Sequence, residues 1–196
     1  MSVHSCSDWG QAVRRFSRTL AQSAAEGKQC PTSRVINTCQ ESGALDQAKR
    51  ERRREALRQS MLLTPFASSL GLQFEVFEPE GVRLRLPFDA RLTNDGECLH
   101  GGVISAALDT AGAAAFWAAY DYSEVVRAAT IAMSIQFTSV CRASDLGCTA
   151  RVIRLTQNAA FTEATALDSD GRVVAHGMQT FMISRRARAE QKEQSP

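Results

Sequence analysis

From Leu72 onward the apolar positions fall on every second residue. Leu72, Phe74 and Val76 alternate with polar partners, Glu80-Gly81 turns the chain, and Val82-Arg83-Leu84-Arg85-Leu86 alternates again. This predicts a hairpin with one face in a core and the other in water. A polar loop over residues 88–99 then gives way to residues 101–120, where apolar residues occupy nearly every side of a helix. Three more strands are predicted over residues 130–137, 147–155 and 161–167. Asp170-Gly171 predicts a two-residue turn into a returning strand over 173–183.

The order β-β-α-β-β-β-β, with one helix among hairpin-linked strands, argues for an α+β fold on an antiparallel sheet rather than alternating βαβ units. A helix apolar all round must be covered all round. One sheet wrapped around it, with a partner subunit on the open side, accomplishes this. Upstream, residues 45–63 are rich in strong helix formers and are followed by Pro65, which predicts a charged helix leading into the domain. Residues 1–44 show no sustained period, and Gly27, Pro31 and Gly43 interrupt any helix that begins around residues 9–25. The expected organisation is a basic, partly helical extension over 1–60, the sheet-and-helix domain over 61–184, and a charged, disordered tail over 185–196.

Charge and cysteine content narrow the class. Residues 1–60 hold 11 Lys/Arg against 6 Asp/Glu, a net +5; the remainder holds 12 against 15, a net −3. Such a basic run is most simply a solvated helix or a loose extension, although it leaves open nucleic acid, an anionic membrane or an acidic partner. The six cysteines form no C-x-x-C pair, and His4, His100 and His176 are scattered, so neither a metal site nor a disulfide framework is expected. With no apolar leader at the N-terminus, a cytoplasmic protein is expected. Residues 103–120 are Ala-rich and interrupted by Asp109, which fits a buried helix better than a membrane span.

The chemistry is concentrated in residues 94–109, which read Asn-Asp-Gly-Glu-Cys-Leu-His-Gly-Gly-Val-Ile-Ser-Ala-Ala-Leu-Asp. Gly101 and Gly102 open the helix, where unpaired N–H groups and the helix dipole suit an anion or a developing oxyanion; tight packing is the structural alternative. Asp109 is the single charge in the apolar helix. A carboxylate there needs partners or work, and satisfaction by backbone or water at an interface is the alternative to catalysis. Ser105 and Thr110 read as ordinary helix hydroxyls. His100 and Asp109 stand nine residues apart, a rise of roughly 13 Å along a helix. One chain therefore does not bring Asp109 to its own Gly101 amide, and joint action on one substrate predicts a dimer with two shared sites.

Asn94, Gly96, His100-Gly101-Gly102 and Asp109, at these spacings, resemble the signature of hotdog-fold acyl-CoA thioesterases of the PaaI type, the phenylacetic-acid-pathway branch, over residues 65–183. The resemblance implies that Asp109 is the general base or nucleophile and that the Gly101 N–H polarises the thioester carbonyl. It implies that Asn94 and His100 orient water, substrate or the helix start, and that Gly102 and Thr130 lie at the substrate, Thr130 near the attacking water. It implies an acyl-CoA substrate, no cofactor or metal, and a homodimer or dimer of dimers. Thr156-Gln157-Asn158 departs from the Gly-Arg-type pair that relatives often carry, and residues 1–60 have no counterpart in the motif.

Arg127, Arg151, Arg154 and Arg172 are candidates for CoA phosphates or simply solvated charges. His176 is read as a sheet-surface or satisfied core residue, and Phe116, Trp117 and Tyr120 as core or interface. Two other functions are weighed: an acyl-CoA-binding regulator with a nucleic-acid-binding N-terminal segment, and a dehydratase, whose His–acid spacing differs from this one.

Overall fold

The computed structural model describes the backbone of residues 38–120 and 126–185, and the side chains of 47–120 and 127–184. The expectations for His4, for Cys6, Cys30 and Cys39, for a helix around residues 9–25 and for the charged tail lie outside the described residues.

A compact unit begins at Gln47. Helix α1 (Thr38–Leu62) runs into it, followed by a short α2 (Pro65–Leu70), β1 (Gln73–Glu78), β2 (Gly81–Leu86) and a 3-10 turn at Ala90–Leu92. Then come α3 (Gly101–Ala119), β3 (Val126–Phe137), β4 (Leu146–Leu155), β5 (Ala159–Leu167) and β6 (Val173–Arg185). The six strands form one antiparallel sheet in the order β1-β2-β4-β5-β6-β3, and α3 lies centrally on its inner face. The expected α+β hotdog architecture is therefore the observed one, with an additional helix before it.

The charged helix ends at Leu62, with Pro65 following its end as expected, and Pro65 also opens a second helix: it occupies the first turn of α2, where its missing N–H costs nothing, and Gly71 at φ +67° ends α2 two turns later. One local expectation changes. The connection after β5 is wider than a two-residue turn. Buried Asp168 organises it, accepting from the N–H groups of Asp170 and Arg172 at 3.1 and 2.9 Å and from the Arg172 guanidinium, while Gly171 adopts φ +79°. An acid that caps its own loop displaces the tighter turn.

Alternation does the sorting along the strands. Val82, Leu84 and Leu86 of β2 and Ala160, Thr162, Ala164 and Ala166 of β5 face inward and are buried. Leu84, Leu86, Leu108 and Leu146 are fully buried, each stabilising the fold by about 1.5–3 kcal/mol. Helix α3 has the length and composition of a membrane-crossing helix, yet nine of its residues are buried in this fold. The rest define a half-open face. Ala106, Asp109, Thr110, Ala113 and Trp117, at helical spacing, are half-buried. Beside it, β3 is an outermost strand of the sheet, with Ile131, Met133 and Phe137 exposed at 59%, 41% and 52%.

Candidate active site

The site is built at two places along α3. At its N-terminus, the loop from Thr93 to Leu99 closes on itself. Asn94 N–H donates to the Cys98 carbonyl at 2.9 Å, Asp95 Oδ1 accepts from the N–H groups of Glu97 and Cys98 at 3.0 and 2.7 Å, and Gly96 turns at φ +91°. The Asn94 side chain is exposed, with no hydrogen-bond partner among the described residues. His100 N–H then donates to the Leu92 carbonyl at 3.0 Å, which sets His100 as the residue capping the helix.

His100 Nδ1 accepts the Gly102 N–H at 2.9 Å. An accepting Nδ1 places the proton of the neutral ring on Nε2. A Cβ at Gly102 would lie 2.9 Å from Nδ1, so the imidazole cap accounts for glycine there. Gly102 thus spends its N–H on His100 instead of offering it to a ligand. The Gly101 N–H, one residue earlier, donates to no described residue. The Phe137 ring lies alongside, 3.7 Å from where a Gly101 Cβ would stand, an ordinary contact that does not by itself demand glycine.

Midway along α3, Asp109 meets Thr130: the threonine hydroxyl donates to Asp109 Oδ1 at 2.9 Å. The register of β3 against β6 shifts between Thr130 and Ala132, a bulge that sets Thr130 opposite Phe181 on the inner face. Ser105 and Thr110 donate back to the Gly101 and Ala106 carbonyls at 2.8 Å, which occupies both hydroxyls within the helix.

The chain therefore brings together His100 with Gly102, and Asp109 with Thr130. It does not join the two pairs, since Gly101 and Asp109 are about 12 Å apart along the helix at 1.5 Å per residue. Of the other candidates, Arg151 pairs with Glu163 at 2.5 Å and Arg172 with Asp168 at 2.7 Å. His176 meets Thr165 across the outer strand face at 2.9 Å. Phe116, Trp117 and Tyr120 pack on one another, and Phe116 stacks on Phe181.

No described cysteine is poised as a nucleophile. The hydrogen bond to the Asp95 carboxylate raises the Cys98 thiol, burial raises Cys141, and full burial pushes Cys148 up to about 12. Sequence reasoning passed over Phe137 and Gln179. The Phe137 ring carries no signal that separates it from an ordinary strand apolar residue. Gln179 carried one: it is the polar residue on the inward register of β6, between Gly177 and Phe181.

A six-stranded antiparallel sheet with one central helix is the hotdog fold. The chain belongs to the thioesterase superfamily, whose family model matches residues 96–175. A Halobacterium salinarum protein named "Putative esterase" is 30% identical over 127 residues, 60% of this chain and 83% of that protein. The solved structure of a thioesterase family protein from Silicibacter pomeroyi is 27% identical with a TM-score of 0.57, over 66% of this chain and 96% of that one. A thioesterase structure from Haemophilus influenzae, at 19% identity and TM-score 0.60 over 67% and 90% of the two chains, shares the fold. Family membership supports thioester hydrolysis as the general chemistry.

Proposed function

We propose that this chain hydrolyses acyl-CoA thioesters to a carboxylic acid and CoA, in the manner of the PaaI-type branch, with Asp109 as the catalytic carboxylate. The observation that carries the reading is the pairing of Asp109 with Thr130 on the half-open face of α3. The carboxylate is held by one hydroxyl and is otherwise open to a substrate.

Hydrolysis requires a nucleophile at the carbonyl carbon and a donor for the oxygen that becomes negative. Asp109 supplies the first, either by taking a proton from water, oriented with Thr130, or by attacking the carbon itself; the C–S bond then breaks and CoA leaves as thiolate. The Gly101 N–H, which donates to no described residue, supplies the second. His100 organises the helix start through its cap, and Asn94 stands exposed beside it for substrate or water. In the second route water then hydrolyses the Asp109–acyl anhydride to free the acid; label found in Asp109 after one turnover in heavy-oxygen water identifies that route, because a general base exchanges no carboxylate oxygen with the attacking water.

The donor of one chain and the carboxylate of the same chain are too far apart along α3 to share a thioester. We therefore place each site between two copies, Gly101 from one protomer and Asp109 from its partner. The outermost position of β3 and its exposed Ile131, Met133 and Phe137 give that second copy a surface to cover. The free thiols of Cys98, Cys141 and Cys148 accord with a reducing compartment such as the cytoplasm. No observation favours the regulator reading: residues 1–37 lie outside the described structure, and a sensor has no use for an open carboxylate at Asp109. Thiol release from a panel of short, medium, long and aromatic acyl-CoAs, corrected for the protein's own cysteines, tests the proposal.

A further inference from the structure

Gln179 sits on the inner face of β6 and is 2% exposed, and its amide lies directly on the backbone of α3. Its Nε2 donates to the Leu108 carbonyl at 2.8 Å and lies 3.9 Å from Met133 Sδ. Its Oε1 accepts from the hydroxyl of fully buried Thr162 at 2.7 Å. A Cβ at Gly112 would come 1.9 Å from that Oε1 and 2.9 Å from Thr162 Oγ1, so the helix residue beneath the amide has to be glycine. Four elements meet at this side chain: α3 through Leu108 and Gly112, β5 through Thr162, β6 through Gln179 itself and β3 through Met133.

The position of this knot is what gives it meaning. Leu108 immediately precedes Asp109, and its carbonyl already serves the helix's own ladder, so the amide adds a second donor at that point. Gln179 pairs with Met133 on β3, and Phe181, two residues further along β6, pairs with Thr130. The amide thus links the turn of α3 that carries Asp109 to the strands that carry Thr130. A buried amide costs desolvation that an apolar side chain of the same size avoids, and its hydrogen bonds only offset that cost. Packing alone does not ask for glutamine here.

We propose that Gln179, with Gly112 and Thr162, is a positioning residue that holds α3 against β6 and β3 so that Asp109 keeps its contact with Thr130 and its aim at the substrate. This rests on the reading of Asp109 as the catalytic carboxylate.

The test compares kcat, KM and thermal midpoint for wild type, Gln179→Met, Gly112→Ala, Thr162→Val and the double variant Gln179→Ala/Gly112→Ala, with Asp109→Asn and Thr130→Val in parallel. The substrate is whichever acyl-CoA the wild type turns over fastest. Gln179→Met preserves bulk without the amide, and Gly112→Ala expels the amide by its methyl group. Both should lower kcat by roughly ten- to hundredfold with KM little changed, as a misplaced group does. Thr162→Val should give a smaller loss of the same kind, and serves if the larger changes fail to fold. In the Thr130→Val background Gln179→Met should cost much less than in wild type, because the contact it positions is already gone. Gln179→Ala/Gly112→Ala, which refills part of the space, should recover thermal stability but not kcat.

A kcat that follows stability across the series, or costs that add independently of Thr130, overturns the inference while leaving Asp109 as catalyst. Hydrolysis that survives Asp109→Asn overturns the catalytic reading itself and this inference with it.

Discussion

The Thr130 hydroxyl donates to Asp109 Oδ1 at 2.9 Å, joining an outermost strand of the sheet to the half-open face of its central helix. The bulge between Thr130 and Ala132 aims that hydroxyl inward. Replacing Thr130 by Val keeps the branched shape suited to a strand and removes the donor. Thr130→Val should fold normally and lose kcat by about tenfold or more, the scale of one oriented hydrogen bond in a transition state. A variant with wild-type kcat would show that the hydroxyl only satisfies the carboxylate at rest.

Sharing of sites between protomers can be read by mixing two inactive variants. Gly101→Pro removes the N–H at the first helical position, where proline is tolerated, and the extended His100 before it (φ −65°, ψ 136°) suits a following proline. Alone, Gly101→Pro and Asp109→Asn should both be inactive. Co-refolded in equal amounts, random pairing should restore about a quarter of wild-type activity, because each mixed dimer carries one intact site. Activity that stays absent in proven mixed dimers would place both groups within one chain's site.

The thiols offer a control on the nucleophile. With Cys98 raised by its hydrogen bond to Asp95 and Cys148 pushed up to about 12 by burial, neither is a thiolate near neutral pH. Cys98→Ser should keep full hydrolysis, and Cys148 should resist iodoacetamide until the protein is unfolded, as mass spectrometry would read. Loss of activity in Cys98→Ser would give the loop beside the site a chemical role.

Acid stability should run through Asp145. Burial works against its charge, but the Phe88 N–H at 2.7 Å and the Arg85 guanidinium outweigh it and hold its pKa below the ordinary value. A carboxylate depressed on folding stabilises the protein above its unfolded pKa, and that contribution is lost as pH falls through the folded pKa. The thermal midpoint of wild type should therefore drop on acidification below the ordinary aspartate range, and Asp145→Asn should start lower and drop less. Equal pH dependence in the two would remove Asp145 from the account.

Much of the fold was legible because alternation and helical spacing report burial directly: Val82, Leu84 and Leu86 announced an inner face that the structure confirms. The first turn of α2 was not, since Pro65 after a helix signals its end and only the following residues show that it also begins another. The motif residues were legible as a set, but not their division of labour. That Gly102 gives its N–H to His100, leaving Gly101 open, depends on a rotamer of an imidazole. Gln179 is a long-range case: its partners, Leu108 and Thr162, stand 71 and 17 residues away in the chain, and only tertiary structure brings them to it.

The most direct measurement is thiol release from the acyl-CoA panel by wild type and by Asp109→Asn, which keeps the shape of the side chain and removes its charge, with size-exclusion chromatography to show that the oligomer persists. Wild type should release thiol from at least one class of acyl-CoA, and the folded variant should release none. Release by Asp109→Asn at the wild-type rate would contradict a catalytic role for Asp109.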